Sequence, residues 1–278
     1  MKLYKRAAAL VLTAATILSL VPPVSAEDEH ITISSAKEFY ALVQSCTRDI
    51  WSQGVTVELT ADLDLSGSDF QPIPIFQGTF HGNGHTIRGI TYDHKGSTLG
   101  LFRTLTESAV VENLSVEGLL EPQGSASQLG LLAGENYGTI RSCSAKGTVS
   151  GQEDVGGLVG VNGETGRIEG SSSQAQISGV TNVGGIAGQN LGTLDQCINT
   201  GTLNSDPDQE IPTSVGGIAG LSRGTIQSCS NSGEIGYQHL GYNMGGIVGL
   251  QSGSVLQCSN TGQVWGRKDV GGIVGQFE

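Results

Sequence analysis

Apolar positions in this chain recur in short runs of four to six residues rich in Val, Ile, Leu and Gly, and clusters of Gly, Asn and Ser separate the runs. Runs of that length with that punctuation predict short β-strands joined by turns. One phrase returns six times: Leu99-Gly100-Leu101-Phe102, Leu129-Gly130-Leu131-Leu132, Val155-Gly156-Gly157-Leu158, Val183-Gly184-Gly185-Ile186, Val215-Gly216-Gly217-Ile218 and Met244-Gly245-Gly246-Ile247. A seventh start stands at Val270-Gly271-Gly272-Ile273, and the steps are 30, 26, 28, 32, 29 and 26 residues. Repetition at such a period means a solenoid, propeller or array. A propeller blade needs about 40 residues, so these repeats are too short for one. They can hold three short strands each, one coil of a solenoid. The expected fold is all-β, a right-handed parallel β-helix whose coils pair in register at about 4.8 Å.

Within each repeat the alignment is tighter than the length. After the glycine phrase comes a turn ending in Gly, then an apolar residue, a Cys three positions on, a Gly seven on and another apolar residue nine on. Ile140, Cys143, Gly147 and Val149 show it, as do Leu194, Cys197, Gly201 and Leu203. Ile226, Cys229, Gly233 and Ile235 repeat it, followed by Val255, Cys258, Gly262 and Val264. Leu114 and Ser171 take the Cys position in the first and third repeats. Insertions are confined to Asn204–Ser214 and Gly236–Asn243, after the last apolar position. Paired glycines are expected to supply positive φ and close backbone approach at the corners.

This pattern resembles the GLUG-motif repeats of bacterial secreted proteins, named for a Gly-Leu-apolar-Gly phrase. Gly157-Leu158-Val159-Gly160 fits it outright, and Gly185-Ile186-Ala187-Gly188 and Gly246-Ile247-Val248-Gly249 fit with Ile for Leu. The stretch Gly78 to Ile87, GTFHGNGHTI, is similar to the segment that precedes such repeats. The resemblance covers roughly residues 32–278. GLUG repeats occur in long adhesin-like surface proteins and beside the catalytic domains of immunoglobulin-A-cleaving metallopeptidases. The resemblance therefore implies an accessory or adhesive role.

The N-terminus reads as an export signal over residues 1–26. Lys2, Lys5 and Arg6 precede an apolar run from Ala7 to Val21, and Val24-Ser25-Ala26 is a small-residue cleavage site. That run is shorter than the roughly 20 residues of a membrane span, so cleavage is expected rather than stable membrane insertion. Residues 27–97 then form a cap and the first coils. Ser34 and Ser35 before Lys37-Glu38 mark a helix start, and Phe39, Leu42, Val43 and Cys46 recur on one helical face. The helix would cover strand edges otherwise left unpaired. Val55–Leu59 alternates as a strand, and Asp62–Leu65 is expected to extend it. Residues 98–278 are the repeats. Either Val270–Phe277 close the stack or the chain is the front part of a longer protein.

Glycine is abundant at 43 of 278 residues but follows no three-residue period, which excludes collagen. The net charge is −12, and residues 1–26 carry three basic and no acidic residues, leaving −15 without them. Such a surface repels nucleic acid and anionic lipid, and mainly promotes solubility. Four of the five cysteines, Cys143, Cys197, Cys229 and Cys258, fall in one column, where the equivalence with Leu114 makes them interior packing residues. Stacked neighbours lie within the Cα range of a disulfide, but parallel Cβ vectors would strain the bond. No C-x-x-C spacing offers a zinc site.

Catalytic candidates are sparse. Parallel β-helices often carry polysaccharide lyases and hydrolases, which need clustered carboxylates; Glu112, Glu169 and Asp195 read as scattered. Asp206, Asp208 and Glu210 have Ca²⁺-ligand chemistry, yet they sit on a loop with Pro207 and Pro212, where solvated carboxylates are the norm. His81, His85 and His94 lie close in sequence but in a segment read as structural. No enzyme, cofactor or metal is expected. Asn136, Asn162 and Asn190 form a column that reads as a turn-stabilising ladder. The binding candidates are Tyr237, Tyr242 and Trp265, which are expected in the variable loops of consecutive repeats, accompanied by His239, Arg267 and Lys268. Aromatic side chains on a polar ledge suit glycan or protein contact. The expectation is a secreted, non-catalytic surface or adhesion module that binds a glycan or an extracellular protein. The alternatives are a β-helix polysaccharide lyase or hydrolase, or an accessory domain of a larger secreted peptidase.

Overall fold

The computed structural model describes residues 29–278 except 49, 68 and 209; the export signal expected over residues 1–26 lies outside them. The chain is a parallel β-solenoid of about nine coils, with four sheets running along its length. Nine strands form the first sheet, through Thr79–His81, Val110–Glu112, Thr139–Arg141 and Arg167–Glu169 to Ser254–Leu256. The second, also of nine, begins at Leu63–Asp64 and includes Ser144–Ser150 and Ser259–Asn260. Six strands from Ser127–Leu129 to Lys268–Gly271 form the third, and eight from Ile73–Phe76 to Val274–Phe277 form the fourth. Every strand pair is parallel and equivalent repeat positions face each other, as in Val155↔Val183 and Ile140↔Ile168.

The coils from Ser127 to Asn260 each give a strand to all four sheets rather than the three strands expected, because the glycine phrase splits one apolar run in two. Glu153–Gly156 belongs to the third sheet and Val159–Asn162 to the fourth, with Gly157-Leu158 between them. Asp62–Leu65 likewise does not extend Thr56–Leu59; its Leu63–Asp64 starts the second sheet.

The paired glycines serve close approach, not positive φ. A Cβ on Gly156 would stand 1.9 Å from Val159 O, and one on Gly157 2.4 Å from Gly185 O in the next coil. Gly160, the last letter of the phrase, lies against Gln128 and Leu129 of the coil beneath. The left-handed residues are elsewhere, in two columns of mostly non-glycine positions. One comprises Thr98, Gln128, Asp154, Asn182, Ser214, Asn243 and Asp269, and the other Asn83, Asn113, Ser142, Gly170, Gln196, Ser228 and Gln257, with φ near +50° to +60° throughout. Each L-residue in that region carries a steric cost, repaid by turning every coil at the same place.

The interior is a stack of aliphatic columns, with an aromatic cluster of Phe76, Phe80 and Phe102 at ring separations of 5.4 to 6.2 Å in the early coils. Cys143, Cys197 and Cys229 are buried among these columns beside Leu114, Cys258 is half-buried, and all are free thiols. Two asparagine ladders run through the buried turns. Asn136 donates to Asn162 and Asn162 to Asn190, whose amide reaches Ser222 Oγ at 3.1 Å. Asn199, Asn231 and Asn260 form the second ladder at 2.8 Å per step.

A single helix, α1 (Ala36–Ser45), stands among the described residues. Ser35 caps it by accepting from Glu38 N, and the Glu38 carboxylate accepts from Ser34 N at 2.8 Å, close to a capping-box arrangement. Phe39, Leu42, Val43 and Cys46 are buried against the first coils, as their spacing predicts. No helix of the described residues is long and apolar enough to cross a membrane.

Candidate functional site

Loops of unequal length leave the solenoid at one side. Ile177, Leu203, Ile235 and Val264 are bridged in sequence along one column. After each, the chain returns to the third sheet by its own route, and the insertions make these routes differ. The Asn204–Pro212 loop is tied down where Asn204 Nδ2 donates to Gly179 O at 2.6 Å. The Gly236–Gly241 loop sits on it, because Tyr242 N donates to Pro212 O at 3.0 Å. The Trp265–Arg267 segment sits on that in turn, with Arg267 N donating to Gly241 O at 2.9 Å. Gly236, at φ +76°, is required here: a Cβ would meet Trp265 O at 2.4 Å.

The three aromatic candidates therefore lie on two successive coils of one ledge, Tyr237 and Tyr242 on one and Trp265 on the next, in different settings. Tyr237 is 41% exposed on its loop. Tyr242 is half-buried and opens the strand Tyr242–Gly245, in register between Thr213 and Lys268. Trp265 is half-buried, its Nε1 donating to Glu234 Oε1 at 3.1 Å. His239 is exposed beside Tyr237, and Arg267 and Lys268 are exposed at the upper edge.

Beneath the ledge the Asn204–Pro212 loop overhangs a polar shelf. Two adjoining clefts of about 220 and 140 Å³ open there and share Ser178. Glu121, Thr148, Gln176 and Asp206 line the larger, and Ser150, Gln152 and Glu210 the smaller. Asp206, Asp208 and Glu210 are exposed, as solvated loop carboxylates are expected to be, and the fold sets Asp206 and Glu210 at the edges of separate clefts. The described residues hold no group of three or more His, Cys, Asp or Glu arranged for a metal ion.

Glu112, Glu169 and Asp195, scattered in sequence, share one column on the first sheet with Arg141 between the first two. Each is the residue after the repeat's apolar position, which makes the column legible in principle, but the residue types differ too much to announce it. His81 Nδ1 lies 2.6 Å from Glu112 Oε1, and Arg141 Nε pairs with the other oxygen. Burial acts to raise the Glu112 carboxyl, but Arg141 and His81 outweigh it and hold it below its ordinary value. His85 pairs with Asp62 and His94 with Asp69 and Asp93, so the three histidines engage different carboxylates.

The GLUG motif matches residues 125–150 and 151–178, two consecutive coils. The chain thus carries GLUG repeats on a parallel β-solenoid. It is 34% identical over 145 residues to halomucin of Haloquadratum walsbyi, covering 46% of this chain and 2% of halomucin. A proposed Gly-rich membrane protein of Evansella cellulosilytica is 35% identical over 96 residues, covering 32% of this chain and 11% of that protein. The chain thus matches only a small part of either relative's length. Among solved structures, a proposed immunoglobulin A1 protease from Bacteroides ovatus superimposes with a TM-score of 0.66 over 82% of this chain and 74% of its own, at 21% identity. That likeness is one of fold.

Proposed function

We propose that this chain is a non-catalytic module of a secreted, surface-associated protein, and that its stacked loops bind a glycan or an extracellular protein. The observation that carries the reading is the ledge itself. Two insertions and the Trp265–Arg267 segment, the variable element of an otherwise regular stack, are hydrogen-bonded one upon another, and the upper two carry Tyr237, Tyr242 and Trp265. Rigid scaffold with variable loops is the usual division between support and recognition. Short matches within much longer relatives suit a module of a larger assembly.

Glycan-array and pull-down binding by the purified chain tests this. Replacing Tyr237 with Ala is expected to weaken binding without lowering the melting temperature. Binding that survives Ala at Tyr237, Tyr242 and Trp265 together would remove the ledge from consideration.

A second reading has one observation behind it. Glu169 and Asp195 are in-register neighbours of the first sheet, and with Arg141 they line a shallow groove of about 300 Å³. Adjacent carboxylates are the requirement of a glycoside hydrolase. Release of reducing ends from polysaccharides, lost in Glu169→Gln and Asp195→Asn, would establish that activity. Cleavage of immunoglobulin A1 by the chain alone would instead place a peptidase in it; we expect neither.

A further inference from the structure

The ledge is chemically lopsided. Its lower part exposes Ile211, at 47%, directly before Pro212, the residue on which the Tyr237-bearing loop rests. Around this apolar pair stand carboxylates without cations: Asp206, Asp208 and Glu210 on the loop and Glu121 across the cleft take part in none of the ion pairs of the described residues. The two clefts run between that loop and a floor of hydroxyl and amide groups. The basic groups of the ledge, Arg267 and Lys268, lie only at its upper edge, and Lys268 already faces Asp269 at 3.7 Å.

We propose that the lower ledge docks a basic polypeptide segment in which Lys or Arg alternates with apolar residues, the apolar side chains on Ile211 and Tyr237 and the cationic ones on Asp206, Glu210 and Glu121. This rests on the reading of the ledge as a binding surface and names its partner. Charge complementarity decides the class. An anionic glycan is repelled by four unpaired carboxylates, and a neutral one gains nothing from them beyond hydrogen bonds. A basic segment gains ion pairs along the rims of the clefts, where Asp206, Glu210 and Glu121 stand exposed, and these fix its register while Ile211 and Tyr237 take its apolar side chains. The fully extended spacing of alternate side chains, about 6.6 Å, lets one segment address both clefts.

The test titrates the full chain with a fluorescent peptide of alternating Lys and Leu, and with its Glu-Leu counterpart. Because the whole protein is acidic, the decisive comparison is between two variants of equal charge. Asp206→Asn, Asp208→Asn and Glu210→Gln together are expected to weaken the Lys-Leu peptide by about tenfold, whereas Glu29→Gln, Glu107→Gln and Glu164→Gln together change it by less than about twofold. Ile211→Ser is expected to weaken it severalfold at unchanged charge, which a purely electrostatic attraction would not produce. Circular dichroism and melting curves show that each variant folds. Equal losses in the two charge variants, or no loss with Ile211→Ser, overturn the proposal. Saturable binding of a neutral glycan that Tyr237→Ala abolishes, with no peptide binding, also overturns it while leaving the ledge reading standing; binding of neither, by any probe, overturns both.

Discussion

Asn162 donates its side-chain amide to Asn190 Oδ1 at 2.9 Å, and the same amide nitrogen lies 3.1 Å from the carbonyl of Gly166 in its own turn. One residue thus closes its own coil and joins it to the next, in a site with no solvent exposure. Asn136 does the same one rung below.

Breaking that ladder strands several buried groups at once. Asn162→Leu, close in volume, leaves the Asn136 amide and the Gly166 carbonyl short of partners, and is expected to destabilise by about 3 kcal/mol. A fall in urea midpoint with unchanged slope would show it. The same column ends in a mismatch: Gln251 is 1% exposed and neither polar atom of its side chain has a partner. Gln251→Asn restores the length that wraps its own turn and is expected to raise stability by about 1 kcal/mol.

Glycine substitutions should sort by what stands over them. Gly157→Ala places a methyl 2.2 Å from Ser173 Oγ and 2.4 Å from Gly185 O, forcing the coils apart. Gly272→Ala meets nothing within 4 Å. The first is expected to cost about 3 kcal/mol or more and the second under about 0.5 kcal/mol, read from paired thermal melts. Similar melts for both variants would mean that close approach does not explain the phrase.

Asp154 provides a pH signature. Burial raises its carboxyl above the ordinary value, Asn182 opposes this through a 2.9 Å hydrogen bond, and Glu153 adds to the rise. A raised folded-state value means that the native chain holds this proton more tightly than the unfolded one. Its contribution to stability is therefore complete in acid and is lost as pH climbs from the ordinary aspartate value through the raised one. Asp154→Asn keeps a residue tolerant of left-handed backbone and removes the charge. It is expected to raise the melting temperature by about 2 °C at pH 7 and by nothing at pH 3; a gain that does not fade in acid would assign it to another cause.

Thiol labelling reports on the cysteine column. Burial pushes Cys46 and Cys143 up to about 12, and contact with Cys197 is the leading cause of the rise at Cys229. Native protein should leave Cys46, Cys143, Cys197 and Cys229 unlabelled by a thiol reagent, with the half-buried Cys258 labelling slowly. Denaturation should expose all five. Cys229→Asp, a charge in a packed column, is expected to prevent folding or cost several kcal/mol. Rapid native labelling of Cys197 would contradict the observed packing.

Legible in the sequence is whatever repeats by residue type. The period, the cysteine column equated with Leu114, the cap formed by Phe39, Leu42 and Val43, and the Asn136–Asn162–Asn190 ladder all come from identity at fixed spacing. Features that repeat by conformation are hidden. Thr98, Gln128, Asp154 and Asn182 share a left-handed backbone but no common side chain, so the pattern resembles ordinary polar turn and points positive φ at the glycines instead. Tyr242 looks like a loop residue because it falls within the Gly236–Asn243 insertion, yet pairing with Thr213 draws it into a strand. The Asn199–Asn231–Asn260 ladder repeats as plainly as the first. It is masked by the cysteines two positions before it, which dominate that stretch of each repeat.

The two left-handed columns also determine how such a chain can change length. Because the coils from Thr98 onward bend at equivalent positions, Asp154 and Asn182 are interchangeable starting points for the coil beyond them. Excising residues 155–182 would bring Asp154 onto Val183 with each sheet still in register. Removing fewer residues would pull the bends out of line, and an odd number taken from within a strand would turn its inward side chains outward. Growth and loss in this molecule are therefore quantised: the rung is the smallest unit that can be copied or deleted without rewriting the rest.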